Sequence, residues 1–287
     1  MIIMAKYNNQ PTLELMKQLT DSDKKVCCLI YQYQLLTARQ IYDANYSQQS
    51  YDDFLDGVLE RLIGVGVIER DKNNNDYIYL TTAGVNVVRE VLELADNKIT
   101  TKNQMLERNY YRASKLRPKP QNLHRQAILN QSVRFIENGL KQRGGVNTAF
   151  KSNLIGIDKD DVQFTYKYID QRHLDNGAKY LQHLKPHGAF VGKKDGVINI
   201  QSIMVLESHM NDLLIKSILN KYVKAHIESP IYNPNHQETL YFLAEDTNKP
   251  CFETYLSRVK EEYEKETFKI ELVTPYELFG KINRNLI

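Results

Sequence analysis

The spacing of apolar side chains changes period twice within the first hundred residues, and that alternation leaves few folds open. Leu13, Met16 and Leu19, then Val26, Leu29, Ile30 and Tyr33, recur at three- and four-residue steps, the repeat of one helical face. The first helix is expected to begin near Asp21. Leu36 to Tyr42 reads as a short second helix, with Thr37 able to cap it and Ile41 facing inward. After a turn-like stretch from Asn45 to Ser50, the residues Phe54, Leu55, Val58, Leu59 and Leu62 draw the stripe of a third helix, ended by Gly64 and Gly66. The period then drops to that of strands. Val67 to Arg70 and Tyr77 to Leu80 flank the polar tip 71–76 and predict a β-hairpin. Thr81 or Thr82 then caps a helix through Val85, Val88, Val91, Leu92 and Leu94. Helix, helix, helix, hairpin, helix is the order of a winged helix-turn-helix, expected here over residues 1–97.

Charge marks the next boundary. Residues 36–97 hold 5 Lys/Arg against 11 Asp/Glu, whereas residues 98–126 hold 8 against 1. The formal net charge of +3 is too small to identify a nucleic-acid binder, so placement matters more than the sum. Residues 98–123 read as a basic connector, broken by Pro118 and Pro120, and a second domain is expected over 124–287. There helical periodicity through Ile128, Leu129, Val133 and Ile136 is followed by strands at 188–192 and 197–206 around the turn 193–196. A long helix from about Met210 to Ile227, a strand at 239–244, a helix at 252–264, a strand at 268–273 and a helix opened by Pro275 complete the chain. This alternation predicts a mixed or parallel sheet flanked by helices, giving an α+β or α/β chain of two domains.

No apolar run reaches the roughly 20 residues that span a bilayer, and the start lacks the layout of a secretory signal. A cytoplasmic protein without membrane contact is expected. Cys27, Cys28 and Cys251 lack the paired spacing of a zinc site and read as reduced packing residues. No phosphate-binding loop, dinucleotide fingerprint or nucleophilic triad is readable, so no cofactor is expected.

The segments LLTARQI (35–41), VLERLIGVGVIER (58–70) and YLTTAG (79–84) carry a resemblance that continues into the second domain. There it rests on His124, on Lys185-Pro186-His187-Gly188-Ala189-Phe190, on MVLESH (204–209) and on the helix with Lys216 and Lys221-Tyr222. On these residues the chain resembles the replication-relaxation family, plasmid and mobile-element proteins with a winged helix followed by a degenerate PD-(D/E)xK nuclease-like domain. Active relatives of that domain hold a metal with a Pro-Asp and a Glu-x-Lys. Here those positions read Pro186-His187 and Glu207-Ser208-His209, so one carboxylate and the lysine are absent and the domain is read as non-catalytic.

The expected function is therefore sequence-specific binding of double-stranded DNA by an accessory or regulatory protein of a plasmid, phage or other mobile element, in transcription, replication or transfer control. A homodimer is expected, as is a partner from the same replication, transfer or regulatory machinery. Polar side chains of the second and third helices and the wing would reach DNA: Thr37, Arg39, Gln48, Gln49, Ser50, Tyr51, Arg61, Lys72 and Asn74. Arg108, Arg112, Lys115 and Arg117 of the connector would follow the phosphates. Asp52, Asp53 and Asp56 oppose this if they share that surface. Two alternatives stand beside it: a metal-dependent nuclease with a rearranged site at His187, Glu207 and His209, and a protein-interaction module whose winged helix no longer binds DNA. Lys216, Lys221 and Lys224 read first as a solvated helix face.

Overall fold

The computed structural model describes residues 10–92, 119–142, 167–170, 186–194, 197–228, 236–264 and 268–285. Contacts divide the chain into two compact units, Met1–Thr100 with Tyr111–Ala127 and Thr101–Tyr110 with Ile128–Ile287. Both are mixtures of helices and a small sheet. Among the described residues no helix is long and apolar enough to cross a membrane.

In the first unit, α1 (Gln10–Gln18) precedes α2 (Asp21–Tyr33). Helix α2 begins where expected because Thr20 and Asp23 close a capping box: Thr20 Oγ1 accepts from the Asp23 amide at 3.2 Å, and the Thr20 amide donates to Asp23 Oδ2 at 2.8 Å. Leu36 and Thr37, expected inside a helix, instead form the short strand β1, paired antiparallel with Ile78 and Tyr77. Helix α3 (Ala38–Asn45) starts only after Thr37, whose side chain accepts from the Gln40 amide at 3.1 Å while Gln40 Oε1 accepts from the Thr37 amide at 3.0 Å. The third helix is composite, with α4 (Tyr51–Asp53), a π-helical segment (Phe54–Leu59) and α5 (Glu60–Gly64) running on from one another.

Gly66, at φ +81°, turns the chain into β2 (Ile68–Arg70), which pairs antiparallel with β3 (Tyr77–Leu80) to give the sheet order β1-β3-β2. Thr81, not Thr82, caps α6 (Thr82–Val91). The helix approaches the sheet so closely that a Cβ at Gly84 would sit 2.0 Å from the Val67 carbonyl oxygen. Val26 and Ile30 of α2, Ile41 of α3, Phe54, Leu59 and Leu62 of the composite helix, and Val87 and Val88 of α6 are fully buried. Each such side chain contributes about 1.5–3 kcal/mol of transfer free energy.

Helix α7 (Leu123–Gln142) follows a 3₁₀ turn at Pro120–Asn122. Sequence periodicity places the second domain from His124, but the division runs through the helix, after Ala127. Leu123 and Ala127, one turn apart, share a buried cluster with Leu35 and Tyr79. Tyr77 Oη lies 3.1 Å from His124 Nδ1, and Gln40 Nε2 donates to the Ala127 carbonyl at 3.5 Å. Apolar cover on the first unit's sheet thus claims the start of the helix.

The second unit carries a five-stranded sheet in chain order: β4 (Lys167–Asp170), β5 (Gly188–Lys194), β6 (Val197–Val205), β7 (His236–Leu243) and β8 (Phe268–Val273). The first three strands are antiparallel and the last three parallel. Helices α8 (Asp212–Glu228) and α9 (Lys249–Tyr263) make the crossovers that parallel pairing requires, and α10 (Pro275–Asn285) follows the last strand. Ile200, Met204, Leu240, Phe242, Phe268 and Ile270 alternate onto one sheet face and pack with Ile215 and Leu219 of α8 and Phe252, Leu256 and Val259 of α9. Lys281 of α10 bonds Glu271, which the alternation puts on the other face, at 2.8 Å. The strand expected over 197–206 runs from Val197 to Val205, and Glu207 beyond it accepts from the Met210 amide at 2.9 Å in a turn.

Candidate nucleic-acid interface

The capping box at Thr37 fixes where α3 begins and so sets Arg39 on its first turn, with the side chain 63% exposed. Asp43, one turn on, accepts from Arg39 Nε at 3.0 Å. The guanidinium lies 5.2 and 5.3 Å from the ring centroids of Tyr42 and Tyr51. These rings are held in turn: Tyr42 Oη donates to the Gln49 carbonyl at 2.6 Å, and Tyr42 meets Tyr51 edge-on with centroids 5.2 Å apart. Buried Phe54 supports Tyr42, Tyr46 and Tyr51 from below. The guanidinium is thus paired with Asp43 and set against two rings while most of the side chain stays exposed, and an exposed guanidinium can donate to phosphate oxygens. Burial, and then the Asp76 carboxylate, raise the pKa of Tyr51, while Arg39 opposes them.

The hairpin tip is organised by Asp71, a buried carboxylate whose Oδ1 accepts from the amides of Asn73 and Asn74 at 2.9 and 3.2 Å. Asn74 Oδ1 accepts from the Asp76 amide at 3.1 Å, so part of its polar capacity closes the turn. Lys72 and Asn74 are both exposed, as a DNA contact from this tip requires. Arg70 is committed to Glu60 Oε1 at 2.6 Å and to the Asn75 carbonyl at 3.2 Å.

Other expected contacts have structural work instead. Arg61, its own side chain 40% exposed, grips Asp23 with both Nη atoms, at 2.9 and 2.7 Å, while the Asp23 side chain is 1% exposed. The physical reason is the carboxylate: a buried charge needs a partner, and Arg61 is the one placed to reach it. Burial pushes the Asp23 carboxyl up, but the bonds from Arg61 and Thr20 outweigh it and hold the pKa below its ordinary value. Thr37 and Ser50 act as helix caps, the latter accepting from the Asp53 amide at 3.1 Å. Gln48 is exposed, whereas Gln49 is half-buried with its Nε2 enclosed and unpartnered. Asp52, Asp53, Asp56 and Glu60 are exposed along α4, the π segment and α5, making that surface acidic. Arg108, Arg112, Lys115 and Arg117 lie outside the described residues.

In the second unit, the rearranged metal site is not assembled. His187 is buried, and its Nδ1 accepts from the Val205 amide at 2.9 Å, which ties the start of β5 to the end of β6. Glu207 is buried just beyond β6, and His209 is exposed in the turn after it. Among the described residues no three His, Cys, Asp or Glu side chains form a group able to hold a metal ion. Sequence reasoning missed the partners Asp43, Tyr42 and Asp23. The Arg39–Asp43 spacing of four was readable as a helical ion pair, but the Asp23–Arg61 pair, 38 residues apart, carried no local signal.

No protein-family model matches the chain, and no curated protein matches it. Among solved structures it is similar to the restriction endonuclease FokI, at 14% identity over 96% of this chain with a TM-score of 0.29. It is also similar to FokI bound to DNA, at 13% identity over 94% of this chain with a TM-score of 0.30. The chain spans less than half of those structures, 44% and 46% of their length. TM-scores of this size do not establish a shared fold.

Proposed function

We propose that the protein is a DNA-binding accessory or regulatory protein of a plasmid, phage or related mobile element, acting by binding in transcription, replication or transfer control. The observation that carries this reading is the sheet order β1-β3-β2, in which a strand between α2 and α3 closes onto the hairpin that follows the third helix. This order supports reading the first unit as a winged helix-turn-helix, in which the composite third helix would be the recognition element and the tip 71–76 the wing. In this reading the exposed Arg39 and Lys72 supply phosphate contacts, and the sequence's basic stretch 98–126 adds affinity independent of base sequence. A two-fold dimer would match paired half-sites, with the second unit available for self-association or a partner.

Binding of the purified protein to duplex from upstream of its own gene and to a scrambled duplex, across a salt series, tests the reading. Specific binding that steepens with falling salt, and weakens on both duplexes in Arg39→Ala/Lys72→Ala, is expected; salt-insensitive or absent binding overturns it. Cleavage of supercoiled plasmid with Mg²⁺ or Mn²⁺, lost in Glu207→Ala, would overturn the non-catalytic part.

A second reading has its own observation. The exposed Asp52, Asp53, Asp56 and Glu60 repel phosphates and suit a basic protein surface, which makes the first unit a protein-docking module. A basic partner that binds the protein and loses affinity in Asp52→Asn/Asp53→Asn/Asp56→Asn, with no DNA binding at low salt, would favour it.

A further inference from the structure

Helix α8 has two faces of different character. Ile215 and Leu219 are buried in the core of the second unit, while Leu213, Lys216, Ser217, Asn220 and Lys221 line an open groove of about 390 Å³. At about 100° per residue these five span an arc of about 140° on the exposed side of the helix, with Lys216 and Lys221 at its two edges. Tyr263 of α9 donates to Asn220 Oδ1 at 2.7 Å. That bond takes one of the two acceptor sites of the amide oxygen and fixes the amide so that its NH₂ donors are available. With the two ammonium groups and the Ser217 hydroxyl, the polar groups of the groove can all act as donors. Among the described residues neither Lys216 nor Lys221 holds a carboxylate, including Asp212 one turn before Lys216, whereas Lys249, Lys260 and Lys281 of the same unit each do. Leu213, 79% exposed, is an apolar wall at one end.

We infer that this groove binds the phosphodiester backbone of a nucleic acid. The two ammonium groups stand five residues apart, about 7.5 Å along the helix axis, which suits the repeating charge of a polyanion better than a single carboxylate. Ser217 and Asn220 between them donate to phosphate oxygens, the contacts that position a nucleic acid without reading its sequence. Leu213 packs against sugar. The site lies on the second unit, so it is new relative to the first-unit interface and rests on the DNA-binding reading only for the identity of the polyanion.

The test uses the full chain and a fluorescent duplex of arbitrary sequence across a salt series. Lys216→Ala/Lys221→Ala is compared with Arg258→Ala/Lys269→Ala, which removes two exposed cations of the same unit outside the groove. The expected result is that the slope of log affinity against log salt falls by about 2 in the groove variant and stays unchanged in the other. Equal slopes in both variants, with wild-type protein binding DNA, overturn the groove and leave the DNA-binding reading standing. Wild-type protein that binds no DNA at low salt overturns both. Polyglutamate bound in a Lys216- and Lys221-dependent way, with DNA binding untouched by those substitutions, assigns the groove to an acidic protein segment and overturns the nucleic-acid assignment.

Discussion

The composite third helix and α8 present charge of opposite sign, and they differ more deeply in what their cations do. On the third helix the charge of Arg61 is held by the buried Asp23, and the exposed Asp52, Asp53, Asp56 and Glu60 carry no such tie to the interior. On α8 the described core-facing residues, Ile215, Ile218 and Leu219, are apolar, and among the described residues Lys216 and Lys221 hold no carboxylate. A count of basic residues would score both helices as possible polyanion contacts. The bonding shows that only the second has cations to give, so the field a partner meets depends on which charges the fold has already claimed.

The largest effect that tests this contrast is on stability. Arg61→Ala should cost about 1–3 kcal/mol by leaving the buried Asp23 carboxylate without its cation, while Lys216→Ala/Lys221→Ala should stay within about 0.5 kcal/mol. Urea unfolding of the two variants measures the gap, and equal costs would erase the distinction between claimed and free cations. Acid should close the same gap. The folded pKa of Asp23 is depressed below its unfolded value of about 3.9, so its contribution is complete above that pH and is lost as pH falls through the folded value. Unfolding of wild type and Arg61→Ala at a series of pH values should therefore converge in acid; a constant difference would mean that Arg61 acts through packing rather than charge.

A smaller effect concerns affinity. Asp52→Asn/Asp53→Asn/Asp56→Asn should tighten DNA binding at low salt by about fivefold, roughly 1 kcal/mol, and the gain should vanish as salt screens it. Unchanged affinity would place the acidic face away from the nucleic acid. The smallest change is expected at Tyr46, whose hydroxyl is enclosed without a partner and whose pKa is pushed up to about 12 by burial and then by Asp23. Tyr46→Phe should leave stability level or raise it by up to about 1 kcal/mol. A clear loss in calorimetry would show that the hydroxyl supports the Asp23–Arg61 pair.

What the sequence made legible was local. Thr20, Thr37, Ser50 and Thr81 each lie at the start of a helix and cap it through a neighbour three residues away, within reach of pattern reading. Phe268–Val273 and Pro275–Asn285 follow period and proline with little distortion. Features that failed to show depend on distant partners. Leu36 and Thr37 are a strand only because Ile78 and Tyr77 lie beside them, and Arg61 is unavailable only because Asp23 is buried across the unit.

The π-helical segment from Phe54 to Leu59 has a consequence that can be put in terms of insertion and deletion. A π turn holds more residues than an α turn, so it is what a helix retains when it accepts an extra residue without giving up its ends. Gly57 lies within the segment, with open space where a Cβ would stand. Removing it would return the segment to α geometry and swing Asp52 and Asp53 by about 100° relative to Glu60 and Arg61. A chain shortened by this one residue would keep its arginine on Asp23 and present a different face to whatever the helix meets.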